Sequence, residues 1–325
     1  MKNQIYIYIA FCLLILVSSC KEMDDQKVGY LAHNLPTSHP VHQGMEVFAK
    51  EVLKISKGKL KVKIFPDGQL GSEREVLELL QIGSIAMTKV SAAAMANFAP
   101  EYKVLSVPYL FRDKAHLFNV LEGKTGKDIL EAGSEYLLRG LCFYDAGSRS
   151  FYTKNKPIQT PEDLKGLKIR VMNHQMSVDM VNEMGGSATP MAYAELYTAL
   201  QQGVVDGAEN NAPSFVTSGH YEVCKYYTLD EHSSTPDVLV IGTRYWNKLS
   251  EEEQGWMRDA AKMSVNAQKG FWKKNVEECL VKLKAADVQI FYPDKKLFAE
   301  KSKVVMEEFS KDPKMKKLIG EIQSY

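Results

Sequence analysis

The sequence predicts an α/β protein of two lobes, each built on a mixed and largely parallel sheet, with a central cleft between them and one long helix spanning both. Three observations predict this class. Strand-like and helix-like patterns alternate in two separate blocks, which favours crossovers covering both faces of a sheet. The chain has 325 residues, and the ~305 left after its leader exceed one comfortable hydrophobic core. From Ser250 onward, apolar residues recur at helical spacing for more than about thirty positions, longer than one lobe is wide.

The elements follow in order. Lys2 precedes an apolar run from Ile5 to Val17, about thirteen residues, too short to span a bilayer and suited to a secretory leader. Residues 1–19 are expected to be removed as a signal peptide. Cys20, directly after Val17-Ser18-Ser19, is the expected lipidation site, with 20–27 as a short tether. An ordinary leader with an incidental cysteine is the other possibility. Val28–Ala32 reads as a strand, and His33–Pro40 as a loop rich in turn formers. His42–Ser56 has helical spacing at Met45, Phe48, Ala49, Val52 and Leu53. Leu60–Phe65 alternates apolar and basic residues, a half-buried strand. Ser72 and Glu75 form a capping box ahead of a helix ending at Gly83, and Ala86–Val90 is a further strand.

The second block repeats the pattern. Leu141–Tyr144, a strand beginning at Tyr152, Leu167–Val171, Ala188–Pro190 and Asp206–Glu209 read as extended. Gln175–Met184 and Ala192–Gln202 read as helices, and Pro161–Leu164 as a helical turn capped by Thr160. Ser250 and Glu253 cap the long helix, whose alternative is two helices broken near Gly270. The expected division gives lobe I residues 28–147 plus about 235–273, and lobe II 148–234 plus about 274–325.

Composition narrows the function. The formal net charge is +1, with no basic stripe for nucleic acid. Of five cysteines, Cys142, Cys224 and Cys279 lie outside the leader and tether. They are far apart and odd in number, so a complete set of disulfides is excluded. No phosphate loop, nucleophile elbow or zinc motif occurs, so no cofactor and no catalytic nucleophile is expected. His33, His39 and His42 match no metal-ligand spacing.

Several side chains could meet a small anion. Arg170 lies near the end of the strand Leu167–Val171, on the face of Lys168 and opposite Ile169 and Val171. It is either a solvated basic residue or a planar cation aimed into a crevice at the sheet's carboxyl end. Met172 follows it. Arg149 sits in a Gly-containing segment where the chain would cross between lobes. Glu209-Asn210-Asn211 is a ligand turn or an Asx turn bonding its own backbone. Glu73 at a helix start helps the helix dipole whatever else it does.

Taken in order, Gln69-Leu70-Gly71-Ser72-Glu73-Arg74, Val107-Pro108-Tyr109-Leu110-Phe111, Leu164-Lys165-Gly166-Leu167-Lys168-Ile169-Arg170, Pro190–Tyr197 and Val205–Asn210, with the cysteine after the leader, resemble the DctP-type solute-binding subunits of tripartite ATP-independent periplasmic (TRAP) transporters. The resemblance covers about residues 27–320. It implies a two-lobe periplasmic binding protein that passes an organic acid to a sodium-coupled permease. It implies that Arg170 clamps the ligand carboxylate, that Arg149 assists as a second cation, and that Asn210 supplies an amide. His33, Glu73 and Asp237 would bond hydroxyls, most like the members that bind glucuronate or galacturonate. Those members tend to carry glutamate where this chain has Asp237. C4-dicarboxylate or sialic acid binding stays open. So do a secreted enzyme using Glu73 and Asp237 as a carboxylate pair, and a lipoprotein sensing for a membrane kinase. The expected location is the periplasm, lipid-anchored to a bacterial membrane.

Overall fold

A computed structural model describes residues 26–325. The leader and Cys20 lie outside the described residues. Eleven strands form two sheets among them. The first contains β1 (Lys27–Ala32), β2 (Leu60–Phe65), β3 (Met87–Ser91), β4 (Leu138–Tyr144) and β10 (Asp237–Gly242), in the order β2-β1-β3-β10-β4. The second contains β5 (Arg149–Thr153), β6 (Lys168–Val171), β7 (Ser187–Pro190), β8 (Gly207–Asn210), β9 (Tyr226–Ser233) and β11 (Gln289–Phe291), in the order β11-β9-β5-β8-β6-β7.

Local chemistry explains the main elements. In β2, Leu60 and Val62 are buried while Lys61 and Lys63 are exposed, the alternation that a one-faced strand requires. Helix α1 (Pro40–Ile55) starts on His39, whose side chain accepts from the Val41 N–H, with Pro40 at its first turn. Helix α2 (Glu73–Ile82) has the Ser72/Glu75 capping box and ends on Gly83 at φ 84°, a left-handed cap that suits glycine.

Both sheets are mixed. β1 runs parallel to β2 and β3, and β6 parallel to β7 and β8. β10 is antiparallel to β3 and β4, and β5 to β8 and β9. The antiparallel strands arise at the two crossings. β4 passes into β5 and β9 passes into β10 without a helix between them, so each reverses direction relative to its helix-connected neighbours. Among the described residues these two adjacent connections link strands of the two sheets with no helix between; a third runs from β10 to β11 through the long helix Glu251–Ala285.

Helix α3 (Glu251–Ala285) runs unbroken behind both sheets for 35 residues, about 52 Å at 1.5 Å per residue. Met257, Ala260, Ala261 and Trp272 join the core beside the first sheet, and Cys279 and Leu283 join one beside the second. The Gln268 amide locks it to a crossing: its Oε1 accepts from Asp145 N–H at 2.9 Å, and its Nε2 donates to Asp145 C=O at 2.8 Å. Gly147 beside it has φ +58°, and a Cβ there would stand 3.0 Å from Trp272, so glycine is required twice over.

Gly270 does not break the helix, because it faces solvent and has no neighbour for a side chain to strike. One expected boundary changes. The C-terminal helix Pro313–Gln323 is not in the second lobe: its Ile319 and Ile322 join the first-lobe cluster with Leu117 and Val120. His116 Nε2 fixes it through Ile322 C=O at 2.8 Å.

Gly270→Ala is expected to stabilise the protein by about 0.5–1 kcal/mol, the propensity gap between the two residues in an exposed helix. Urea unfolding checks this, and a loss of stability would show that the helix is not continuous there.

Candidate binding site

Between the two sheets lies a cleft of about 730 Å³, within the range of small-molecule sites. Arg149, Arg170, Met172, Asn210, Glu73 and Asp237 all line it. β6 and β8 present Arg170 and Asn210 at their carboxyl ends, β10 presents Asp237 at its start, and α2 presents Glu73 as its first residue.

Arg170 is 3% exposed. Its Nε and one Nη donate to the Met191 carbonyl at 3.0 and 2.7 Å. Its other nitrogen, Nη1, is buried with no partner among the described residues. The Tyr193 ring centroid is 5.7 Å from the guanidinium. Among the described residues no carboxylate lies within ion-pair distance of it. Burial lowers its pKa, yet a guanidinium stays protonated in proteins. The result is a desolvated cation with an open donor, a site that favours an anion.

Arg149 differs from the expectation of a second open cation. Its Nε and Nη2 form a two-pronged pair with the Glu209 carboxylate, Nη2 also donates to the Glu209 backbone carbonyl at 2.7 Å, and Nη1 donates to Asn210 Oδ1 at 3.1 Å. Glu209 also meets His232 at 3.3 Å, and His232 Nδ1 meets Asp230 at 2.7 Å. Two cations and two carboxylates therefore alternate behind the cleft wall. Burial alone would raise the Glu209 pKa, but Arg149 and His232 hold it down at about 2. Burial alone would lower that of His232, but Asp230 and Glu209 raise it to about 9. Asn210 gains its orientation from this network. Its Oδ1 accepts from Arg149 at 3.1 Å and from the Asn211 N–H at 2.9 Å, which turns its NH₂ toward the cleft.

The first-lobe wall is acidic. Lys89, 2% exposed, lies 3.3 Å from Asp237 and 3.8 Å from Glu73. Glu73 also accepts from the Ser91 N–H at 2.9 Å. Burial raises the pKa of both carboxyls, and Lys89 opposes that rise.

His33 does not line the cleft. Its Nδ1 accepts from the Leu35 N–H at 3.1 Å and its Nε2 contacts His42 Nδ1 at 3.0 Å, so both ring nitrogens are occupied. Burial, reinforced by Lys89, lowers its pKa to about 2. Its neighbour Asn34 lines the cleft instead, with Oδ1 buried and unpartnered among the described residues. Lys89, Asn34 and Tyr193, which also line the cleft, are not among the expected ligand groups. A lysine within an apolar strand run (Ala86-Met87-Thr88-Lys89-Val90) is the signal that could have found Lys89, since a buried ammonium needs a carboxylate.

The DctP family, bacterial extracellular solute-binding protein family 7, matches residues 31–312. A solute-binding protein of Chromohalobacter salexigens is 35% identical over 313 residues, covering 96% of this chain and 92% of its own length. Among solved structures, a TRAP periplasmic solute binding protein from Bradyrhizobium sp. BTAi1 in complex with alpha/beta-D-galacturonate has a TM-score of 0.90 at 40% identity, over 92% of this chain and 100% of its own. One from Chromohalobacter salexigens with bound D-glucuronate has a TM-score of 0.89 at 35% identity, over 91% and 99%.

The Glu209–His232 pair predicts a pH profile. Because His232 is raised from 6.5 to about 9, its contribution to stability is full below pH 6.5 and is lost as pH rises through 9. Because Glu209 is lowered from 4.5 to about 2, its contribution is full above pH 4.5 and is lost as pH falls through 2. Thermal melts should fall between pH 6.5 and 9 by the equivalent of on the order of 3 kcal/mol. His232→Gln should flatten that alkaline limb; an unchanged limb in the variant would refute the assignment.

Proposed function

Because the chain belongs to the DctP family of bacterial extracellular solute-binding proteins, family 7, we propose that it captures a hexuronate such as glucuronate or galacturonate and delivers it to a sodium-coupled TRAP permease. One observation carries the choice of ligand. Arg170 is a buried cation with an open donor on one wall, and the opposite wall is lined by the hydroxyl acceptors Glu73 and Asp237. A molecule with one carboxylate and several hydroxyls satisfies both. The similar solved proteins with bound galacturonate and glucuronate support this reading.

In this proposal Arg170 forms a charge-assisted bond to the ligand carboxylate, contributing roughly 1.5–3 kcal/mol. The Asn210 NH₂ donates beside it. Arg149, neutralised by Glu209, acts by fixing Asn210. Met172 supplies apolar contact at the rim. Glu73, Asp237 and Asn34 bond the hydroxyls from the first lobe. A ligand touching both lobes favours the closed arrangement over an open one by its differential affinity, and the permease recognises the closed form. No step of this function is catalytic.

We also place the protein in the periplasm, held at a bacterial membrane by lipid on Cys20. No helix among the described residues is long and apolar enough to cross a membrane, so the leader's cysteine is the candidate anchor. Cys20→Ala should move the protein from the membrane to the soluble fraction on cell fractionation; retention in the membrane would remove the lipid anchor.

Hexuronates should stabilise the wild type through linkage by about 2.7 kcal/mol at a hundredfold excess over Kd, read as a raised melting temperature. In Arg170→Ala, calorimetry should show binding weakened by at least ~3 kcal/mol, the cost of leaving a buried carboxylate unpaired. Near-wild-type affinity in the variant would take Arg170 out of the site.

A further inference from the structure

We propose that the first-lobe wall is a charge filter, admitting sugar acids with one carboxylate and rejecting those with two; this rests on the sugar-acid function above and narrows its substrate class. Glu73, Lys89 and Asp237 come from three neighbouring elements, α2, β3 and β10. The β3–β10 register sets Asp237 opposite Ser91, so Lys89, two residues before Ser91, projects from the same face. One ammonium serves both carboxylates, at 3.3 and 3.8 Å.

With both carboxyls ionised, the trio has two negative charges and one positive. Asp237 uses Oδ1 on Lys89, and Glu73 uses Oε1 on Lys89 and the Ser91 N–H. The second oxygen of each has no hydrogen-bond partner among the described residues. Their side chains are 12% and 21% exposed, and both line the cleft. Two independent observations mark the same cavity as a ligand site. Arg170 Nη1 and Asn34 Oδ1 are buried there without partners among the described residues.

The consequence is chemical. An ionised carboxylate accepts hydrogen bonds and donates none. The two open oxygens therefore welcome hydroxyl groups, which turn a proton toward them. A second carboxylate has no proton to offer, and like charges brought together in a cleft shielded from water repel. The remaining cations cannot relieve it. Arg149 is paired with Glu209, and Arg74, at the rim, bonds Glu78 at 3.0 Å. A dicarboxylate that seated one end on Arg170 would set its other end against Glu73 and Asp237. Aldarates share the carbon chain of the uronates and carry a second carboxylate, but they are open chains where the uronates close into rings, so the change of the preference between wild type and charge-removing variants isolates the charge.

Calorimetry with galacturonate and galactarate tests this on the wild type, Asp237→Asn and Glu73→Gln. The wild type is expected to prefer galacturonate by at least roughly 100-fold. Each variant, having removed one negative charge, should cut that preference at least about tenfold. The preference is a ratio measured on one protein, so a general weakening of folding or closure cancels. Equal affinities in the wild type, or an unchanged ratio in both variants, overturn the filter and leave uronate binding standing. A wild type that binds galactarate and not galacturonate overturns both.

Discussion

Removing a guanidinium from water without a carboxylate to receive it is costly, and the architecture around Arg170 holds it in that condition. Strand β6 delivers it at a carboxyl end. The Met191 carbonyl takes two of its donors and fixes its plane, and Tyr193 lies along it. Among the described residues Glu209, whose charge reaches Arg170, is already committed to Arg149 and His232. That commitment matters as much as the cation itself. Had Glu209 been free to swing, it would neutralise Arg170 and leave nothing for a ligand to offset. The buried alternation of Arg149, Glu209, His232 and Asp230 thus keeps charge balanced behind the wall, while one uncompensated positive charge faces the cleft.

The two walls differ in sign because they belong to different sheets, and the connections between the sheets are few. The crossings at 145–148 and 234–236, with α3 bolted to one of them through Gln268 and Asp145, are the places where relative motion can be absorbed. Contacts between the lobes away from these crossings are both apolar and polar: Met176 joins the first-lobe cluster and Tyr109 packs against a second-lobe one. Asn97 Nδ2 donates to Asn173 C=O at 2.8 Å, and His39 Nε2 meets Ser214 Oγ at 3.2 Å. Polar contacts of this kind contribute only about 0.5–1.5 kcal/mol each. A ligand bonded to both walls adds its own differential affinity to these contacts in favouring the closed arrangement.

Local rules made much of this legible. The alternation in Leu60–Phe65 and the capping boxes at Ser72 and Ser250 depend on residues within a few positions, and the strands and helices they predict are present. Period-two geometry placed Arg170 on one face of its strand, and the resemblance to a family supplied the rest of its meaning. What local rules missed is long-range pairing. Lys89 has its partner Asp237 148 residues away, and Arg149 meets Glu209 across 60, so neither its burial nor its neutralisation could be seen in the sequence. His33 failed for a finer reason. The turn bonds its ring to the Leu35 N–H and to His42, and a shift of one residue gives the cleft to Asn34. The antiparallel β10 was hidden because nothing in its residues reports that it enters from a crossing.

The division of labour between the lobes also bears on selectivity. A bare monocarboxylate satisfies Arg170 and leaves Glu73 and Asp237 with open oxygens, so it gains contacts on one lobe only and favours closure weakly. A neutral sugar satisfies the acidic wall and leaves Arg170 unpaired in a cleft that would then lose water on closing. Each half-ligand thus leaves a buried charge unanswered in the closed state, a cost of several kcal/mol per ion in desolvated surroundings. In the proposed site only a molecule with an anion at one end and hydroxyls at the other answers both walls. Discrimination therefore comes from what an incomplete ligand would leave unpaired as much as from what the right one bonds.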